Sequence, residues 1–184
     1  MAYHWGQLEQ GYLYNGGSVL GSEYFSYYSS IAVFQTSSQP ANLQSLPFSA
    51  SFAEGNMVPG QNISVTTHTL SDQGGPLYDP ATTVTLLPQT IDGTVSAVSS
   101  EGGFTVYTVA LAAYDLFPDL AVQTGQTTLL TNPGTVVVYT DANTQMLNSE
   151  AIGLGSIMRF NGLVFNDNGT LRLDCAQVND GVPE

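Results

Sequence analysis

Phe165-Asn166-Asp167-Asn168-Gly169-Thr170-Leu171-Arg172-Leu173-Asp174-Cys175 decides how the chain must be read. Leu171, Leu173 and Cys175 alternate with Arg172 and Asp174, the period of two that sends successive side chains to opposite faces of a strand. Ahead of them, Asp167-Asn168-Gly169 is turn chemistry. Asn-Gly tolerates the positive φ angles of a type I′ turn and predicts a tight hairpin. The same grammar holds further out. Ile63, Val65 and Thr67 alternate with Asn62, Ser64 and Thr66, and Val84 and Leu86 alternate with Thr83 and Thr85. Thr135-Val136-Val137-Val138-Tyr139-Thr140 predicts a strand covered on both faces. Ile91 to Ser99 and Phe104 to Ala113 predict longer strands. Turn signals recur between them at Pro59-Gly60, Gly74-Gly75-Pro76, Glu101-Gly102-Gly103 and Asn132-Pro133-Gly134, as strand punctuation should. One short helical turn is expected at Tyr114-Asp115-Leu116-Phe117, ended by Pro118. The fold class is all-β.

The halves echo one another. Pro59-Gly60-Gln61-Asn62-Ile63-Ser64-Val65 leads through a loop to Thr83-Val84-Thr85-Leu86-Leu87-Pro88-Gln89. Leu154-Gly155-Ser156-Ile157-Met158-Arg159-Phe160 leads to Thr170–Gln177. Each is a glycine turn, a strand, a loop and a closing strand. The expectation is two small β-barrel or sandwich repeats in tandem, over 1–89 and 90–184, with the tyrosine-rich stretch 1–30 an edge strand or tail.

Composition narrows the partners. Of 184 residues 42% are apolar, enough for a packed core, but only 9% are charged against about 25% in an ordinary domain. Lysine is absent, Arg159 and Arg172 are the only cations, and fifteen carboxylates set the formal net charge at −13. Nucleic acids and anionic membranes are read by cations, so neither is an expected partner. Cys175 is the single cysteine, which excludes an intrachain disulfide. No run of 18 apolar residues occurs, so no transmembrane helix is expected. Met1-Ala2-Tyr3-His4-Trp5 lacks the basic start and apolar core of a signal peptide. The expectation is a piece of a longer chain whose leader lies elsewhere.

Enzyme chemistry finds few groups to use. A Ser/His/Asp arrangement needs a histidine base, and only His4 and His68 exist. Neither Ser18 nor Ser156 sits in a Gly-x-Ser-x-Gly elbow. Two histidines and one cysteine scattered along the chain do not make a zinc set. Asp167, Asp174 and Asp180 lack the regular calcium-loop spacing, and hairpin chemistry explains Asn166 to Gly169 without metal. Asp115 and Asp119 around Leu116-Phe117-Pro118 read as cap and turn residues rather than a glycosidase pair. Cys175, in phase with Leu171 and Leu173, reads as a small core hydrophobe. No catalytic residue, metal site or cofactor is expected. The aromatic crowd is the exception: Tyr12, Tyr14, Tyr24, Tyr27 and Tyr28, with Trp5 before them. Tyrosine and tryptophan stack on sugar rings and also fill protein interfaces. Those five tyrosines are the candidate ligand-binding residues, for polysaccharide or for protein.

The cycle Ile91-Asp92-Gly93-Thr94-Val95-Ser96-Ala97-Val98, Gly103-Phe104-Thr105-Val106, Asn132–Tyr139 and Gly155–Val164, closed by Phe165–Gln177, resembles a family of small-barrel repeats of unknown function. Such repeats stand in tandem in secreted proteins and lipoproteins of acidobacterial-type bacteria. The resemblance covers residues 58–184 well and 1–57 poorly. It implies a five- or six-stranded OB-like barrel, of the oligonucleotide/oligosaccharide-binding type, in an extracellular or cell-surface setting, and it brings no catalytic residues. The functional expectation is a non-catalytic structural or adhesive module, a spacer or assembly subunit. Its partners would be copies of itself or other domains of a longer chain. A carbohydrate-binding module using surface aromatics is the alternative.

Overall fold

A computed structural model of the chain describes residues 8–15, 18–26, 32–37, 45–58, 60–67, 79–113, 134–147 and 151–181. The chain is all-β. Its strands are β1 (Leu8–Asn15), β2 (Ser18–Ser26), β3 (Val33–Thr36), β4 (Ile63–Thr67), β5 (Asp79–Leu86), β6 (Gln89–Glu101), β7 (Phe104–Leu111), β8 (Thr135–Thr140), β9 (Gln145–Met146), β10 (Ile157–Asp167) and β11 (Thr170–Asp180). Among the described residues the one helical element is a single 3₁₀ turn at Glu54–Asn56. None of their helices is long and apolar enough to cross a membrane. The expected helical turn at Tyr114–Phe117 and the Asn132-Pro133 and Gly74–Pro76 turns lie outside the described residues.

Two compact units share these strands. One takes Met1–Gln35 and Ile63–Thr85; the other takes Thr36–Asn62 and Leu86–Glu184. The second unit thus contains a segment, 36–62, that the sequence reading placed with the first. In the first unit β1 and β2 form an antiparallel hairpin with Leu8 opposite Ser26 and Asn15 opposite Ser18. β2 continues in parallel onto β5, and β3 and β4 both pair with β5. The expected alternation of β4 is visible: Ile63 and Val65 are half-buried and Ser64 and Thr66 exposed.

The second unit closes on itself. Antiparallel pairings run from β10 to β6, β6 to β7 and β7 to β8. β8 then pairs in parallel with β11, Val136 opposite Leu171 and Tyr139 opposite Asp174. β11 returns antiparallel to β10, from Met158–Asp180 to Asp167–Thr170. Five strands therefore form a ring, and β9 adds two residues to the free end of β11. Closure demands sharp bending, because β6 must pair with β10 over its first half and β7 over its second. A bulge between Val95 and Ala97 lets β6 turn. A second bulge, at Asn161/Gly162, bends β10; a Cβ on Gly162 would collide with the Asp174 carbonyl and the Cys175 backbone. The hairpin from β10 to β11 turns on Asn168 at φ 51° and Gly169 at φ 91°, the tight positive-φ turn that Asn-Gly predicts.

The ring is packed solid. Ile91, Val109, Val136, Val138, Phe160, Val164, Leu173 and Val178 are wholly inaccessible to solvent and belong to one cluster. Each such side chain contributes about 1.5–3 kcal/mol of transfer free energy. β8 is covered on both faces, as its composition predicts. Val136 and Val138 enter this cluster, while Tyr139, with Val137 packed beside it, joins a second one on the opposite face with Phe104 and Val106. That outer cluster is roofed by Leu46 and Phe48, from the strap that runs over 45–58.

Candidate functional site

The outer face of the barrel carries the densest set of polar and aromatic contacts. Alternation on β8 sends Tyr139 outward where Val138 points in, and alternation on β11 does the same for Arg172 beside Leu171 and Leu173. Phe48 of the strap lies 4.8 Å from the Tyr139 ring and 6.0 Å from Phe165, and Phe104 meets Tyr139 edge-on at 6.1 Å. The Arg172 guanidinium sits 5.5 Å from the Phe48 centroid and 5.7 Å from that of Tyr139, within cation–π range of both. Its Nε donates to Asp167 Oδ2 at 2.8 Å, and its Nη1 donates to the Tyr139 hydroxyl. That hydroxyl donates in turn to Glu101 Oε2 at 3.4 Å. Burial raises the Tyr139 pKa above the usual phenol value of 10.0; Arg172 opposes the shift and Glu101 adds to it. A phenol so held keeps its proton at neutral pH. The cluster can fasten the strap to the barrel; it presents no ionised nucleophile.

Cys175 faces the interior, with its Sγ 3.2 Å from the Gln177 carbonyl and 3.7 Å from that of Asn161. Burial pushes its thiol up to about 12, so the reactive thiolate is suppressed. The Thr144 hydroxyl donates to the Cys175 carbonyl at 2.9 Å and its backbone N–H donates to Asp141 Oδ1 at 3.2 Å, tying the β8–β9 loop to β11. At the other end of the ring, Arg159 Nε donates to Asp92 Oδ1 at 3.0 Å. Both arginines are therefore committed to aspartates. Among the described residues no three His, Cys, Asp or Glu side chains converge as a metal-holding group.

The tyrosines singled out by sequence fall in the first unit. Tyr12 and Tyr14 lie on β1 and Tyr24 on β2, with Tyr12 opposite Ser22, Tyr24 opposite Gln10 and Tyr14 opposite Val19 past a bulge. The register sets Tyr12 and Tyr24 two steps apart along one hairpin. Tyr27, Tyr28, Trp5, His4, His68, Asp115 and Asp119 lie outside the described residues. Sequence reasoning missed the outer cluster. Arg172 alternating with core residues marks an outward-facing cation, but nothing local announces that Phe48, 124 positions upstream, would lie across it. No family model matches the chain, and no curated protein matches it.

Proposed function

We propose that this chain is a non-catalytic structural or adhesive module of the cell exterior, working as a spacer or assembly subunit through shape and surface contact. The observation that carries this reading is the solid barrel. Its interior is filled by fully buried aliphatic and aromatic side chains, and part of its outer face is covered by the strap. What reaches solvent along β6 and its turn is mostly Ser, Thr, Ala and Gly, with Val98 and Glu101 among them, a surface suited to hydrogen-bonded contact. The ring of five strands, with its single parallel pairing of β8 and β11, supports an OB-like barrel for the second unit, with the first unit as its tandem companion. The acidity, with no lysine, supports an extracytoplasmic setting; it keeps the chain soluble.

Sedimentation equilibrium and electron microscopy of the purified chain test the assembly reading. Concentration-dependent association, or filaments, is expected. A particle that stays monomeric up to its solubility limit overturns it. The β1–β2 hairpin supports a second reading, polysaccharide binding, because Tyr12 and Tyr24 sit about 7 Å apart along it at the usual strand rise. A glycan array tests this one: binding lost in Tyr12→Ala and Tyr24→Ala is the expected result, and an array with no signal above background removes it.

A further inference from the structure

β6 is shared unequally by its two neighbours. β10 pairs with it from Gln89 to Thr94, whereas β7 pairs with it from Gly93 to Glu101. Beyond Thr94 the β10 side is closed only at Val95, whose amide donates to the Ser156 carbonyl at 2.9 Å and whose carbonyl accepts from Gly155 at 2.8 Å. From Ser96 to Ser100 no described strand lies on that side, and all five residues are exposed. Val98 is 45% exposed. The result is an open sheet edge, Ser96-Ala97-Val98-Ser99-Ser100, with fixed ends. The Val95 closure bounds one, and the Gly102-Gly103 turn, with φ of 57° and 90°, bounds the other.

Natural edges are blunted by lysine, inward-pointing charge or proline. This one has none of them; its bulge falls at Ser96, the residue next to the Val95 closure, and the register from Ala97 to Glu101 is regular. Two positive φ angles make the turn type I′, so the flanking pair Glu101–Phe104 is hydrogen-bonded across the hairpin. Bonding alternates along an antiparallel pair. Ser99 therefore bonds toward β7 with Glu101, and the N–H and C=O groups of Val98 and Ser100 face the open side.

We infer that this edge pairs with the same edge of a second copy of the chain, antiparallel about a two-fold axis at Val98. The inference deepens the assembly reading and rests on it. The stretch is self-complementary in that register. Val98 meets Val98 of the second copy with both outward groups aligned for exchange, Ala97 meets Ser99, and Ser100 meets Ser96. Charge selects the same arrangement. Two chains of net charge −13 approach at least cost where neither presents a carboxylate. Glu101 falls beyond the paired stretch, opposite Val95 and not opposite itself. A two-fold contact of this kind is isologous and closes as a dimer.

The test compares wild type, Val98→Lys, Val98→Glu and an equimolar mixture of the two variants by sedimentation equilibrium. Wild type is expected to dimerise. Each variant alone sets like charges opposite each other on the axis and should dimerise at least about tenfold more weakly. The mixture should regain a dimer containing one chain of each kind. Circular dichroism and protection of Cys175 from thiol reagents report that each variant is folded. Ser100→Pro, which removes an outward amide without adding charge, serves if either charged variant is not, and should also weaken the dimer. If wild type associates and all variants associate equally well, the contact lies elsewhere and the assembly reading survives. If wild type is monomeric throughout, the assembly reading falls and the edge pairing with it.

Discussion

Cys175 and Tyr139 show how one residue's burial becomes a property of the whole fold. The neutral thiol is favoured in the folded state, because burial pushes its pKa up to about 12 from an ordinary value near 9. The unfolded chain therefore releases this proton first. Between those two values the folded state binds more protons than the unfolded one, so stability falls as pH rises. Below pH 9 the contribution is fully present. Tyr139 acts in the same direction from a higher starting point, its pKa being raised above 10.0 by burial. Denaturant titrations from pH 7 to pH 11 should show stability declining from about pH 9. In Cys175→Ala the decline should begin only near pH 10, where the phenol takes over. An unchanged onset in that variant would mean that the thiol is not the group responsible.

At the scale of elements, the strap is the least conventional part of the second unit and the most exposed to a single substitution. Amide contacts at residues 60–62 clip the chain just beyond the strap's far end. Gln61 Nε2 donates to the Val164 carbonyl at 2.9 Å, Asn62 Nδ2 donates to Pro88 at 2.9 Å, and Gln89 Nε2 donates to Gly60 at 3.1 Å. Its near end depends on Phe48, which packs against Tyr139 and Phe165 beneath the Arg172 guanidinium. Phe48→Ala should cost about 2 kcal/mol, less than a full core deletion because the ring is only half-buried. The loss should be local first: limited proteolysis should cut within 45–58 while the amides of β8 and β11 stay protected from hydrogen exchange. Equal acceleration of exchange everywhere would instead show that strap and barrel open together. The strands were legible because alternation and Gly-based turns are local signals; Thr135–Thr140 and the Asn168-Gly169 hairpin could be read residue by residue. The strap was not, since a short proline-containing stretch without sustained alternation, such as Ser45-Leu46-Pro47-Phe48-Ser49, looks like any linker. Its place is fixed by contacts such as Gln61 to Val164, 103 positions apart. The parallel pairing of β8 with β11 escaped for the same reason: pairing partners that are distant in sequence leave no periodic trace.

Charge belongs to the molecule as a whole. Fifteen carboxylates face two arginines, and each arginine is held by one aspartate, Arg159 by Asp92 and Arg172 by Asp167. Pairs of this exposure contribute about 0.2–1 kcal/mol each. The remaining negative charge repels itself, and compaction brings it closer together. Salt acts on both terms with opposite signs. Going from about 20 mM to about 500 mM NaCl shortens the screening distance from about 20 Å to about 4 Å, which weakens two ion pairs but relieves a far larger number of repulsive ones. The melting temperature should therefore rise with NaCl, and a fall would show that the two ion pairs outweigh the repulsion. Calcium chloride at matched ionic strength separates screening from coordination. Screening alone gives the same rise in both salts. A larger rise at low millimolar calcium, saturating with concentration, would require a bound ion and would overturn the expectation that the chain has no metal site.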